Sequence, residues 1–254
     1  QFVPEMKIFS FDTWSFNFEG YGTRWYKELL GICSANSGTT VCTDRWMIGF
    51  KNSAIIAVFA TFFASVLGTL GALGLSNRHM PFNRLIMALM ISPMIVPLII
   101  TAAGTFFFFA KVNLVATLPG LIIAHTILGI PFVVITVTAS LAGFDNNLMR
   151  AASNLGGSPL RNFFKIQAPL IAPGVISGAL FAFITSFDEV VIVLFVGGPD
   201  QYTLPRQMWS GIRNEISPTI LAAATILVIF SILLLSTLEM LRRRSEKIRG
   251  ITPH

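Results

Sequence analysis

The 254 residues of this chain are 54% hydrophobic and only 12% charged, and their mean hydropathy is +0.72. Because a soluble domain needs about 25% charged residues to keep its surface wetted, this composition excludes soluble enzymes, disordered regulators and disulfide-dense toxins and indicates an integral membrane protein. The net charge of +6 does not indicate nucleic-acid binding, since the 18 Lys and Arg residues stand in short clusters between apolar runs, as the orienting cations of membrane proteins do.

Residues 1–51 form the first predicted segment, which is rich in Phe, Trp and Gly and contains both cysteines. Cys33 and Cys42 lie in a loop rich in Ser, Gly and Thr, and the charge distribution described below places this segment outside the cell. In an oxidising compartment a disulfide between them is chemically reasonable, and it would stabilise so short a loop by about 2–3 kcal/mol. Two free thiols are the alternative.

Five apolar stretches follow, and each is long enough to cross a bilayer core of about 30 Å as a helix of roughly 20 residues. Because a backbone exposed to lipid must satisfy its own hydrogen bonds, each stretch is predicted to be helical. Together they predict an all-α transmembrane domain over residues 52–241, followed by a basic tail over residues 242–254. The predicted spans are residues 52–75, 85–110, 117–141, 170–196 and 218–241.

Three of these spans contain residues that an uninterrupted lipid-facing helix does not need. Pro93 and Pro97 interrupt the hydrogen-bond ladder of the second span, which predicts either a gate hinge or a fixed bend. His125 stands alone in the third span, where a neutral imidazole bonded to a facing helix is favoured over a proton relay. Asp188 and Glu189 lie together near the end of the fourth span, and acids in a span usually face protein or a water-filled cavity.

The cations between the spans predict the orientation of the chain. The cations after the first, third and fifth spans outnumber the cations on the opposite side. Cations in the long segment of residues 1–51 have little influence, because the rule applies to short loops. The C-terminus and the loop from Gly143 to Ala168 are therefore predicted to be cytoplasmic, and Gln1 external. An external N-terminus without a signal peptide predicts one further span upstream, which gives six in all. The cytoplasmic cations are Arg78, Arg84, Arg150, Arg161, Lys165, Arg242, Arg243, Arg244, Lys247 and Arg249.

Residues 143–169 connect the third and fourth spans and carry the most specific pattern in the chain. Asp145 is a good helix N-cap, and an apolar face at i, i+3, i+4 and i+7 follows it. Gly156-Gly157 ends this helix, Ser158-Pro159 begins a second one, and Pro169 marks entry into the next span. The apolar face is formed by Leu148, Ala151, Ala152 and Leu155.

The resulting helix–turn–helix has two interpretations. Its small alanines leave room for another protein surface to approach closely, as a docking element requires. Alternatively, the hairpin is an amphipathic connector that rests on lipid headgroups. The residues of the loop leave both open.

The same segment resembles the cytoplasmic signature of ABC importer permeases, the pattern E-A-A-x-x-x-G-x(9)-I-x-L-P. Two positions depart from it, since Arg150 replaces the glutamate and Ala168 replaces the leucine. The likeness extends over most of the chain, including SFDEVVIVLFVGGP, and it is greatest to the second permease subunit of spermidine/putrescine-type importers. The matching positions are Ala151, Ala152, Gly156, Ile166 and Pro169.

This resemblance implies the type I importer permease fold, with a cytoplasmic coupling helix, in the bacterial cytoplasmic membrane. It implies a second permease subunit, two copies of a cytosolic ATPase that carries ATP and Mg²⁺, and an external solute-binding protein. Because this chain has no G-x-x-x-x-G-K-[ST] pattern, it is expected to be a transport subunit without enzymatic activity or a cofactor of its own. The resemblance assigns ATPase coupling to Leu148, Arg150, Ala151, Ala152, Ser153, Asn154, Leu155, Gly156 and Pro169.

For a polyamine or related amine cargo, Asp188 or Glu189 supplies the obvious countercharge. Neighbours on a helix differ by about 100°, so one acid is expected to line the path while the other pairs with a cation or caps a backbone. A structural ion pair with Arg206 or Arg213 at the external rim is the alternative. The external loop of residues 197–217 suits contact with a delivery protein and suits a helix at headgroup level equally well.

Other cargos and other classes of protein stay open. Importers of opines, phosphonates, thiamine and iron share the permease architecture, and one acid in a span does not decide among them. A secondary transporter or channel that works without an ATPase is disfavoured, because no inverted repeat is visible. A membrane-embedded assembly factor that transports nothing is the remaining alternative.

Overall fold

The computed structural model describes residue 29 and residues 45–77, 80–214 and 218–248. Over these ranges the secondary structure is helical and contains no strand, which confirms the all-α prediction. In chain order the helices are α1 (Arg45–Leu75), α2 (Asn83–Ile95), α3 (Leu98–Lys111), α4 (Leu118–Ala142), α5 (Asn146–Asn154), α6 (Pro159–Asn162), a π-helical turn (Phe163–Gln167), α7 (Ala168–Asp188), α8 (Val191–Val196), α9 (Leu204–Asn214) and α10 (Pro218–Ile248).

Helices α1, α4 and α7 pack against one another and form the centre of the membrane domain. They meet at three small residues, because a Cβ on Gly129 would lie 3.0 Å from the Cβ atoms of both Ala64 and Ala182. Gly68 makes a similar approach between α1 and α4, where an added Cβ would lie 2.7 Å from the Cβ of Val133. Small residues let helix backbones approach closely, which is how helices associate in membranes without a hydrophobic driving force.

Three helices are long and apolar enough to cross a membrane: α1, α4 and the continuous run Pro159–Asp188. The pair α2 and α3 supplies a fourth crossing if the two helices are counted as one bent span. Helix α10 begins where the fifth span is predicted and is apolar over Thr219–Leu233. The predicted total of five spans therefore stays a prediction.

The second predicted span, residues 85–110, is wrong as a single helix. Helix α2 ends at Ile95, α3 begins at Leu98, and the two axes are bent by 103°. Pro97 lies at the break, and Val96 before it is extended (φ −70°, ψ 134°), the conformation that a following proline favours. Pro93, by contrast, lies inside α2.

The fourth predicted span, residues 170–196, is also interrupted. Helix α7 ends at Asp188, and Glu189 is extended (φ −70°, ψ 124°) before α8 begins at Val191. The short helix α8 is anchored by a hydrophobic cluster that joins it to α1, α3 and α4. The buried members of this cluster are Ile56, Ala102, Phe109, Leu121, Ala124, Leu128, Ile192, Val193 and Val196.

Candidate functional site

The connection between α4 and α7 begins as the sequence predicts, with a capped helix and a glycine turn. A carboxylate oxygen of Asp145 accepts the amide N–H two residues further on, at 2.9 Å. At the other end of α5, the amides of Gly156 and Gly157 donate to the carbonyls of Ser153 and Ala152, each at 3.0 Å. Gly156 has φ 79°, so this Schellman ending uses glycine where other residues would be strained.

Helix α5 lies on the surface of the chain, and none of its residues is buried. Leu148 is 45% exposed and Leu155, directly after the helix, is 89% exposed. The predicted apolar face is therefore not used to pack this chain. Apolar groups left uncovered together in this way indicate a surface that another molecule covers. Arg150, Ala151, Ser153, Asn154, Gly156 and Pro169 are exposed as well, and Ala152 is half-buried.

The second helix of this connection is not a separate element. Ser158 is its N-cap and Pro159 its first residue, as predicted. From there the helix passes through the π-helical turn into α7 without a break, so Pro169 does not begin a separate helix, and its place at the entry to the next span stays a prediction. The π-helical turn shifts the hydrogen-bond register just before Pro169, which has no N–H to donate.

Asn162, the last residue of α6, is a buried polar residue that sequence reasoning misses. It is only 4% exposed, although the segment around it is largely uncovered. Its Nδ2 donates to the carbonyl of Gly157 at 3.2 Å and to the Oγ of Ser153 at 3.4 Å. The sequence offers no distinctive signal for this role, because a single Asn near a helix start usually faces water.

At the far end of α7, the two neighbouring acids have different environments. Glu189 is 6% exposed, and its Oε1 accepts the amide N–H of Ile192 at 2.8 Å, which satisfies the first turn of α8. Asp188 is exposed and has no hydrogen-bond or ion-pair partner among the described residues. The premise that both acids lie on one helix is wrong, since α7 ends between them.

His125 of α4 reaches the same end of α7. Its Nδ1 donates to the backbone oxygen of Ser186 at 3.1 Å and lies 2.9 Å from the Oγ of the same residue. That backbone oxygen belongs to the last turn of α7, whose carbonyls have no partner within the helix. The bond from His125 to a facing helix is therefore confirmed, and it supports the break after Asp188.

The loop between α8 and α9 is tied to the start of α1. The side-chain amide of Asn52 donates to the carbonyls of Asp200 at 3.1 Å and Tyr202 at 2.9 Å. The Oγ of Ser53 accepts the amide N–H of Leu204 at 2.9 Å. The sequence shows only that Asn52 and Ser53 lie at the start of a span. It does not predict these contacts, which join residues about 150 positions apart.

Arg206 does not pair with either acid. Its Nη1 donates to the carbonyl of Gly198 at 2.7 Å, and its guanidinium carbon lies 4.6 Å from the ring centre of Tyr202. Within the described ranges, neither Arg206 nor Arg213 forms an ion pair with Asp188 or Glu189, so the alternative of a structural ion pair with these cations is wrong.

The loop that is predicted to be external contains α9, which packs Leu204 against α10 and exposes Trp209 and Ile212. The predicted disulfide between Cys33 and Cys42 lies outside the described residues. Among the residues that are described, no group of three His, Cys, Asp or Glu side chains is placed to hold a metal ion.

The chain is similar to several polyamine permeases along most of its length. It is 29% identical over 244 residues to the spermidine/putrescine transport system permease protein PotC of Escherichia coli K12, with 96% of this chain and 88% of that protein covered. It is 34% identical over 218 residues to the putrescine transport system permease protein PotI of the same organism, with 82% and 73% covered. A PotC homolog of Mycoplasma genitalium is 29% identical over 202 residues, with 77% and 70% covered.

Solved transporters share the fold. The inward-facing MetNI methionine ABC transporter superposes with a TM-score of 0.63 at 20% identity, covering 78% of this chain and 94% of that one. A bacterial ABC transporter that imports the acidic polysaccharide alginate gives 0.63 at 15% identity, with 85% and 78% covered. These likenesses confirm the permease fold expected from the signature in residues 143–169.

A protein-family model matches residues 61–247, which is well over half of the chain and includes α5, the π-helical turn and both acids. The chain therefore belongs to the family described as binding-protein-dependent transport system inner membrane component.

Proposed function

We propose that this chain is a permease subunit of an ATP-driven importer and that its cargo is a small organic cation, a polyamine or a related amine. The relatives named for spermidine and putrescine support this class of cargo. The single observation in this chain that carries the proposal is Asp188, an exposed carboxylate without a described partner at the end of a membrane helix.

The electrostatics around Asp188 favour a cation. An acid within a span faces protein or water, and its charge attracts cations along a water-filled path. The C-terminal end of α7 adds partial negative charge at the same place. Glu189 is not available to the cargo in the same way, because Oε1 holds the amide of Ile192.

A cluster of aromatic rings precedes Asp188 on α7; Phe187 is buried within it, and the half-buried ring of Phe183 gives the methylene groups of a polyamine an apolar wall. The rings of Phe183 and Phe187 are stacked with centroids 5.7 Å apart, and Phe230 of α10 lies 5.3 Å from Phe187. Ring faces also attract ammonium groups. We therefore assign the substrate path to the α7–α8 break, with Asp188 as the countercharge and Glu189 as the residue that holds the break open.

The uncovered face of α5 is proposed to dock on a cytosolic ATPase, which holds ATP and Mg²⁺ and is present in two copies. Leu148, Ala151 and Leu155 supply the apolar contact, and burying them would stabilise the complex by the usual hydrophobic term. In this arrangement α5 and the C-terminus are cytoplasmic, a second permease subunit completes the path, and a solute-binding protein delivers cargo from outside. Membrane lipids cover the remaining apolar helix faces.

The bend between α2 and α3 is proposed as a gate hinge. Pro97 fixes an extended residue between two membrane helices, and few backbone angles need to change there to swing α3 relative to α2. Nucleotide binding would favour one arrangement of this bend over the other and so shift the population of open paths.

The test is to reconstitute the complete transporter, with its second permease subunit, ATPase and binding protein, in liposomes. We expect putrescine or spermidine to stimulate ATP hydrolysis and to be taken up only when ATP is present. Stimulation by anionic solutes alone would contradict the assignment of an amine cargo. Uptake that persists without the ATPase would contradict an ATP-driven importer.

A further inference from the structure

A side chain, and not only the backbone, holds the angle between α5 and α6. The elbow, defined here as residues 152–162, contains a four-residue connection between the helices, residues 155–158, of which two are glycines. Such a turn on its own permits a range of angles, because glycine restricts the backbone least. Asn162 crosses this turn and bonds to both sides of it, to Gly157 O in the turn and to Ser153 Oγ on α5.

The elbow is tightly packed around the side chain of Asn162. A Cβ on Gly157 would collide with the Oδ1 of Asn162 and would lie 2.9 Å from its Cγ and from the carbonyl oxygen of Ala152. Gly157 is therefore needed so that the amide of Asn162 can reach the turn. A buried amide with its donors satisfied in this way fixes one geometry, because any other would leave polar groups unpaired.

The position of Asn162 in the chain connects the elbow to the helix that ends at the substrate path. The residue ends α6, and the helix continues from it through the π-helical turn to Asp188. One end of this continuous helix therefore holds α5, while the other end carries the proposed countercharge. Without the side chain of Asn162, a displacement of α5 would be transmitted only by the glycine turn and by the packing of α5 against α6 and the π-helical turn.

We propose that Asn162 is a positioning residue for energy coupling, which locks α5 to the helix Pro159–Asp188 so that movement of α5 reaches the substrate path. This inference rests on the proposed docking of α5 on an ATPase. It assigns no contact between Asn162 and the ATPase or the cargo, because the side chain is buried inside the elbow.

The experiment compares uptake of putrescine with hydrolysis of ATP in the complete transporter in liposomes. For Asn162→Ala we expect ATP hydrolysis to continue while putrescine taken up per ATP falls about tenfold, the factor that losing ordinary hydrogen bonds produces in a two-state equilibrium. The matched control is Asn83→Ala. Asn83 also donates a side-chain hydrogen bond to a backbone carbonyl, that of Leu75, but it joins α1 to α2 and not α5 to α6.

Two further variants separate coupling from folding. Asn162→Asp keeps the size of the side chain but removes both donors, so it should uncouple without leaving a cavity. Gly157→Ala should uncouple by displacing Asn162, and combining it with Asn162→Ala should add little to either single change. Two unrelated losses of stability would add to each other. A double variant that is no worse than either single variant therefore indicates that both changes act on the same contact.

The outcomes distinguish a failure of the positioning role of Asn162 from a failure of the proposed function. If the wild-type transporter couples normally and Asn162→Ala and Asn162→Asp keep the wild-type ratio, the positioning role is wrong and the proposed function stands. If Asn83→Ala lowers the ratio as much as Asn162→Ala, the effect is general and the positioning role is also wrong. A wild-type complex that shows no ATP-dependent uptake of putrescine overturns the proposed function, and this inference with it.

Discussion

Asp188 and Glu189 are neighbours in sequence, but their carboxylates are used differently. We expect Asp188→Asn to raise the KM for putrescine uptake by about tenfold or more, since a hydrogen bond to a charged group contributes about 1.5–3 kcal/mol. Glu189→Gln should leave KM unchanged, because its amide oxygen still accepts the N–H of Ile192. Uptake kinetics of the two variants in the same vesicles make the comparison.

Glu189→Ala serves as the control for the structural role. It removes the cap of α8 and should destabilise the folded protein by about 1 kcal/mol, which a thermal melt in detergent detects. A raised KM in Glu189→Gln together with a normal KM in Asp188→Asn would reverse the assignment of the two acids.

Single residues whose role is local could be predicted from the sequence. Asp145, Gly156 and Ser158 act on backbone groups within three residues of themselves, so their types and spacing contain the necessary information. Asn162 and Asn52 could not be found in this way. Their partners are chosen by the fold, over five residues in one case and about 150 in the other, and no local preference specifies them.

At the scale of helices, the sequence located one interruption and missed another. Pro97 marks the bend between α2 and α3, because a proline acts on its own backbone and on the residue before it. The break after Asp188 has neither proline nor glycine. It is supported by Glu189 and by His125, which comes from a helix about 60 residues earlier, and the flanking apolar runs hide it from hydropathy.

Close packing of the three central helices gives a second test. Gly129→Val should destabilise the protein by about 1–3 kcal/mol, because the facing atoms are Cβ atoms of Ala64 and Ala182, which cannot rotate away. Gly104→Val is the matched control, since no atom lies within 4 Å of a Cβ at that position of α3. The measurement is the Tm of the solubilised transporter, which should fall by several degrees in the first variant only.

Equal losses of Tm in the two glycine variants would contradict the three-helix crossing. Gly68, Gly71 and Gly74 recur every third residue, a spacing that favours close helix packing. No such spacing marks Gly129, which is nine residues from Gly120, the other glycine of α4, and is identified only by what faces it.

For the whole molecule, composition and hydropathy were sufficient to predict a helical membrane protein, and the spacing in residues 143–169 was sufficient to predict its family. The cargo and the moving parts were not predictable to the same degree. They depend on which polar groups the packed helices leave without partners, and that property belongs to the fold and not to any one segment.

We propose that an ATPase holds α5 and that movement of α5 opens and closes the path. A photo-crosslinking phenylalanine analogue placed at the exposed Asn154, in the complete transporter in membrane vesicles, tests this most directly. The same analogue at Ile212, 57% exposed on α9, is the control at the predicted opposite face. We expect an adduct with the ATPase from position 154 and none from position 212; an adduct with the external binding protein from position 154, or with the ATPase only from position 212, would contradict the claim.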